Sequence, residues 1–213
     1  MHSQEKEISY QTSNSYSTLN SLTEKTEVVW LVFHGMGYLS RYFLKYFKTL
    51  DSETNYIIAP QAQSKYYIPP KFDHVGASWL TRENTLKETE NVLNYIDAVV
   101  SNEAINSEKK LVVMGYSQGV SIAMRYVASR RLNCQYLILH SGGIPKELEI
   151  KDFSFLSDET KVSHIYGTKD EFLNEERIVY ETQRSIELFG DKVTIHSFEG
   201  THQVNVALMK DLI

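Results

Sequence analysis

Apolar residues in this chain come in short unbroken runs separated by amphipathic stretches. Val28-Val29-Trp30-Leu31-Val32-Phe33 contains no polar position, and neither does Leu111-Val112-Val113-Met114. Runs of this kind fit strands buried on both faces, as in a parallel sheet. Residues 55–59 predict another strand, stopped by Pro60, and 135–140, 162–166 and 193–198 predict three more. Helical patterns lie between them. Residues 41–50 have helical spacing, and in 82–101 Leu86, Leu93, Ile96 and Val100 fall near one face, with Glu88, Glu90 and Asp97 elsewhere. Residues 118–130 and 175–189 predict two more helices, the second closed by Gly190, and a short helix follows residue 202. Strands alternating with helices predict one α/β domain over residues 1–213, with a mainly parallel central sheet flanked by helices.

Two stretches break the rhythm. Residues 1–27 are polar. Pieces at 8–12 and 15–18 have the composition of edge strands joined through Ser13-Asn14, and a loose N-terminal arm is the alternative. Residues 60–80 carry three of the four prolines and show no period, which predicts a long loop.

Composition narrows the class. The 213 residues suffice for one substantial core, and 42% hydrophobic content argues against wholesale disorder. A net charge of −5 disfavours a nucleic-acid partner. No apolar run approaches the ~18 residues of a membrane helix, and residues 1–7 lack the basic start and apolar core of a signal peptide. Cys134, the single cysteine, excludes an internal disulfide and a cysteine-based zinc cluster. These features predict a soluble, cytoplasmic protein.

The chemistry gathers where predicted strands end. Gly115-Tyr116-Ser117-Gln118-Gly119 sits between the strand at 111–116 and the helix from 118, the setting of a nucleophile elbow. A β-carbon at Gly115 or Gly119 would clash in so tight a turn. Taken alone, the pentapeptide fits equally well a plain strand-to-helix turn with serine as a helix-start residue. Three other strand ends add to it. His34-Gly35-Met36-Gly37 follows the first long run, Asp170 follows 162–166, and His202 follows 193–198. In open α/β sheets ligands bind beyond the carboxyl ends of strands. A serine nucleophile needs a base, and the base needs a third group to fix its tautomer. The expected roles are Ser117 as nucleophile, His202 as base and Asp170 as orienting acid, with Glu147 or Glu149 as the alternative acid. The amides of Met36 and Gln118 are the expected oxyanion donors. His34, His140, His164 and His196 read as structural histidines, and Cys134 as a buried apolar residue.

With these motifs in place, the chain resembles the α/β-hydrolase superfamily, and within it the phospholipase/carboxylesterase family that includes acyl-protein thioesterases. The resemblance rests on His34-Gly35-Met36-Gly37, Gly115-Tyr116-Ser117-Gln118-Gly119, Gly167-Thr168-Lys169-Asp170 and Thr201-His202, with Ser78-Trp79 matching the family's Ser-Trp element. It implies a serine esterase or thioesterase acting on a small-molecule substrate without cofactor or metal. The chain departs from the family pattern at three places. Tyr38 stands where an acidic residue is usual, Val120 where a second glycine is usual, and Glu171-Phe172-Leu173 where a short apolar stretch leads to proline. The segment between His140 and Val162 is too short for a lid domain, so an open, shallow pocket is expected, walled by Tyr38, Leu39 and Trp79 beside Met36. A binding or receptor protein on the same fold, with little turnover, is the reading from a different class.

Overall fold

The computed structural model describes residues 3–105 and 108–213. Its strands are β1 (Tyr16–Leu19), β2 (Val28–Phe33), β3 (Asn55–Pro60), β4 (Ser64–Tyr67), β5 (Val75–Ser78), β6 (Lys110–Tyr116), β7 (Tyr136–His140), β8 (Lys161–Gly167) and β9 (Val193–Phe198). Seven of them form one sheet in the order β1-β3-β2-β6-β7-β8-β9, while β4 and β5 pair separately. All sheet neighbours are parallel except β1, which runs antiparallel to β3.

The unbroken run at 28–33 is buried at every position because the sheet is covered on both faces. Side chains alternate across a strand. Val29, Leu31 and Phe33 face the layer that includes α2 (Thr85–Glu103) and α3 (Gln118–Arg130). Val28, Trp30 and Val32 face the opposite layer, with Phe43 of α1 (Ser40–Phe43) and Met209 of α5 (Val206–Lys210). The fourth helix in chain order, α4 (Glu175–Phe189), sends Leu188 and Phe189 into the first layer and ends at Gly190, whose φ is 55°. Among the described residues no helix is long and apolar enough to cross a membrane.

The structure departs from the sequence expectations in four places. Residues 60–80 are not a long loop, because β4 and β5 pair as an antiparallel hairpin from Ser64↔Ser78 to Tyr67↔Val75. Strand β4 is mostly exposed and β5 is built of small residues, so neither shows an apolar alternation. Of the two N-terminal pieces, 16–19 is an edge strand, whereas 8–12 forms none and leaves Ile8 and Tyr10 exposed. The expected helix at 41–50 is a single α turn that tightens into a 3₁₀ turn at Leu44–Phe47. In α2, Leu93 and Ile96 are buried, but the first turn lies outside the core and leaves Leu86 exposed.

The segment between β7 and β8 carries one 3₁₀ turn, Ile150–Phe153, and no further domain. Phe153 packs on Phe189 of α4, ring centroids 4.7 Å apart.

Candidate active site

Ser117 sits at the break between β6 and α3 with φ 53° and ψ −120°, a region that crowds L side chains. Packing forces this shape. A β-carbon on Gly119 would come 2.1 Å from the Phe33 carbonyl oxygen, and one on Gly115 would lie 2.4 Å from the Val120 Cα. The Ser117 amide donates to the His140 carbonyl (2.9 Å), tying the elbow to β7.

His202, on the loop after β9, accepts at Nε2 from the Ser117 hydroxyl (2.9 Å) and donates from Nδ1 to Asp170 Oδ2 (2.7 Å). One tautomer, protonated at Nδ1, satisfies both bonds. The Asp170 carboxylate is fully buried and also accepts from the Phe172 amide (2.9 Å). Glu147 and Glu149 lie elsewhere, Glu147 against Arg125 and Glu149 against Lys151.

Two residues that sequence reasoning passed over fix the histidine loop. The Tyr116 hydroxyl donates to the His202 carbonyl (2.9 Å), and Glu171 Oε2 accepts the His202 amide (3.1 Å). These bonds to its own amide and that of His202 hold the Glu171 carboxyl below the usual range. Glu171 is one of the departures from the family pattern, so its position was a signal. The Phe172 ring meets His202 edge-on, centroids 4.8 Å apart.

Beside Ser117, Gly35-Met36-Gly37-Tyr38 forms a turn closed by Tyr38 N–H to Gly35 O (3.3 Å), with Gly37 at φ 86° in its third position. The Gly37 amide donates to Ala77 O of the hairpin (2.9 Å). Among the described residues, the amides of Met36 and Gln118 have no protein acceptor. The Gln118 side chain does structural work. It donates to Leu80 O (2.7 Å) and accepts from the Trp79 amide (2.9 Å), bolting the elbow to the end of β5.

Buried histidines brace the frame. His34 donates from Nδ1 to Gly35 O (2.8 Å) and accepts at Nε2 from the Ala62 amide (3.1 Å), and burial pushes its imidazole down to about 4. His140 accepts the Asn205 amide at Nε2 (3.0 Å), anchoring the chain just after His202, and burial pushes it down to about 3. His164 contacts Ser185 Oγ (3.1 Å) and burial pushes it down to about 4. Cys134 is buried, which pushes its thiol up to about 12.

The cleft beside Ser117 has a volume of about 320 Å³ and is walled by Gly142, Gly143, Phe172, Leu173 and Arg177. Tyr38, Leu39 and Trp79, the expected wall, do not line it. Leu39 and Trp79 turn back into the core, where the Trp79 indole donates to His34 O (2.8 Å). Tyr38 packs edge-on against Tyr116, with its hydroxyl on that of Tyr46 (3.0 Å). A larger cavity of about 780 Å³ lies at the other end of β8 and β9, around Lys161, Val162 and Thr194, away from Ser117.

The sheet order, the elbow after β6 and the residues gathered beyond the strand ends define an α/β-hydrolase fold. Residues 14–213 match the profile of the phospholipase/carboxylesterase family, and the chain belongs to that family. Similar solved structures include acyl-protein thioesterase 2 from Zea mays, with a TM-score of 0.68 and 14% identity, covering 94% of this chain and 96% of that one. Esterase PE8 superposes with a TM-score of 0.68 and 17% identity, covering 95% and 100%. A phospholipase/carboxylesterase from Dyadobacter fermentans DSM 18053 does so with 0.67 and 18%, covering 95% and 97%. Comparison with curated proteins returned no significant match.

Proposed function

We propose that the protein is a serine hydrolase that cleaves carboxylic esters or thioesters through an acyl-enzyme. The observation that carries this reading is the hydrogen-bonded line from Ser117 Oγ through His202 to Asp170, at 2.9 and 2.7 Å. Ser117 Oγ attacks the carbonyl carbon while its proton passes to His202 Nε2. Asp170 keeps Nδ1 protonated and stabilises the imidazolium that forms. The carbonyl oxygen becomes an oxyanion, received by the uncommitted amides of Met36 and Gln118; one such donor is typically worth ~2.7–4 kcal/mol. The bond to the leaving oxygen or sulfur breaks, and His202 returns the proton to the departing alcohol or thiol. Water then gives a proton to His202 and attacks the acyl-serine, the bond from the acyl carbon to Ser117 Oγ breaks, Oγ takes the proton back from His202 and the acid is released.

Family membership supports ester hydrolysis, and the likeness to a protein named acyl-protein thioesterase supports including thioesters. The small cleft favours short acyl groups or groups presented from solvent. Fluorophosphonate labelling tests the reading. The expected result is one adduct by intact mass on the wild type and none on Ser117→Ala. A folded wild-type protein that takes up no reagent overturns it and leaves a ligand-binding role on this fold.

A further inference from the structure

Arg177 lies in the first turn of α4 and lines the cleft that holds Ser117 and His202. Helix stability does not explain it. A cation in the first turn opposes the helix dipole, and Arg followed four residues later by Glu is the weaker order for an ion pair. Its partner Glu181 is buried, the side chain 3% exposed. Burying a carboxylate is costly unless it is fully bonded. Glu181 meets that condition, with Oε1 accepting from Arg177 Nε (2.8 Å) and Oε2 accepting from the Ile144 amide (2.8 Å).

That arrangement aims the guanidinium. Nε is committed to Glu181, while Nη1 and Nη2 have no acceptor among the described residues. The side chain is 53% exposed. Nη2 occupies the space over Gly143, where a β-carbon would come within 2.5 Å of it. A guanidinium fixed through Nε presents its two terminal nitrogens as a fork suited to a carboxylate or phosphoryl group. Among the described residues no Asp or Glu lines the cleft, so beyond the Glu181 bond to Nε no carboxylate there competes for the two terminal nitrogens.

We infer that the ester or thioester turned over at Ser117 carries a second, anionic group, a carboxylate or phosphoryl, which the Arg177 fork receives. This inference rests on the serine-hydrolase reading. Arg177 sets specificity, and Glu181 is the residue that positions it.

The test compares matched ester pairs. Monomethyl glutarate against methyl valerate places the anion on the acyl side. The butyryl ester of 2-hydroxyethyl phosphate against that of ethylene glycol places it on the alcohol side. In the wild type, the anionic member of at least one pair is expected to have the higher kcat/KM by about ten- to a hundredfold, the scale of a charge-assisted bond. The pair that discriminates tells a carboxylate-bearing acyl group from a phosphorylated alcohol. Arg177→Gln is expected to bring that ratio near unity, and Arg177→Lys to leave an intermediate ratio. If neither variant folds, glutarate protection of the wild type against fluorophosphonate is the readout, with valeramide as control. Protection by glutarate alone supports the inference, and equal protection or none overturns it. A wild type that labels at Ser117 yet shows no preference, or no turnover of either anionic ester, overturns the inference and leaves the hydrolase reading standing. So does an Arg177→Gln protein with the wild-type ratio. A wild type that does not label removes both.

Discussion

Replacing Ser117 with alanine is expected to cut ester hydrolysis by roughly a millionfold, the loss typical when a triad serine is removed. The amides of Met36 and Gln118, proposed to receive the oxyanion, and the cleft remain, so a residual rate above the uncatalysed reaction is expected. The same position makes a second, opposite expectation about stability. Its backbone, at φ 53° and ψ −120°, crowds any β-carbon, so alanine keeps the strain and glycine relieves it. Ser117→Gly is therefore expected to be more stable than Ser117→Ala by about 1–2 kcal/mol, read from urea midpoints at equal m-values. An alanine variant that keeps more than about a thousandth of the wild-type rate would put the nucleophile elsewhere.

Acid is expected to unfold this protein well before its carboxylates are neutralised. His34, His140 and His164 are buried, and burial holds them near 4, 3 and 4, below the ~6.5 of an unfolded histidine. The folded state therefore binds fewer protons than the unfolded state below pH ~6.5. Their contribution is fully present above that value and is lost progressively as pH falls toward the folded values. At about 1.4 kcal/mol per pH unit for each group, roughly 6 kcal/mol is gone by pH 5. Whole domains are stable by only about 5–15 kcal/mol. Urea unfolding at pH 7 and pH 5 checks this, and His164→Gln should reduce the slope by about a third. Equal stability at the two pH values would mean that these imidazoles are already charged or already wet. His34 and His140 also brace the turn bearing Met36 and the chain beyond His202, so activity falls with the fold.

The parts legible in the sequence were those dictated by local physics. The runs at 28–33 and 111–114 announced a sheet covered on both faces, because only such a strand tolerates unbroken apolar sequence. The line of Ser117, His202 and Asp170 was legible because each follows a strand and all such ends meet at one rim of a parallel sheet. The β4–β5 hairpin was not, since an exposed strand opposite small residues carries no alternation. Nor was the tightening after α1, because burying Phe43, Leu44 and Phe47 suits three or 3.6 residues per turn alike. The lining of the cleft beside Ser117 was not legible, for a tertiary reason. Whether Trp79 faces solvent or core depends on where His34 and Gln118 arrive, which no nearby residue reports. Arg177 did leave a trace, a cation directly after Glu175-Glu176 at a helix start.

The bond from the Gly37 amide to the Ala77 carbonyl is expected to give the molecule an uneven thermal behaviour. It hangs the turn carrying Met36 on a hairpin whose outer strand is mostly exposed, while the central strand β2 is buried at every position. Peripheral units of this kind open at lower free energy than the whole protein. On warming, the hairpin is expected to let go first and to take the turn carrying Met36 with it. Catalysis should then fade reversibly at temperatures where the far-ultraviolet ellipticity is still native. A rate-against-temperature curve that superimposes on the ellipticity melt would show that hairpin and sheet melt as one.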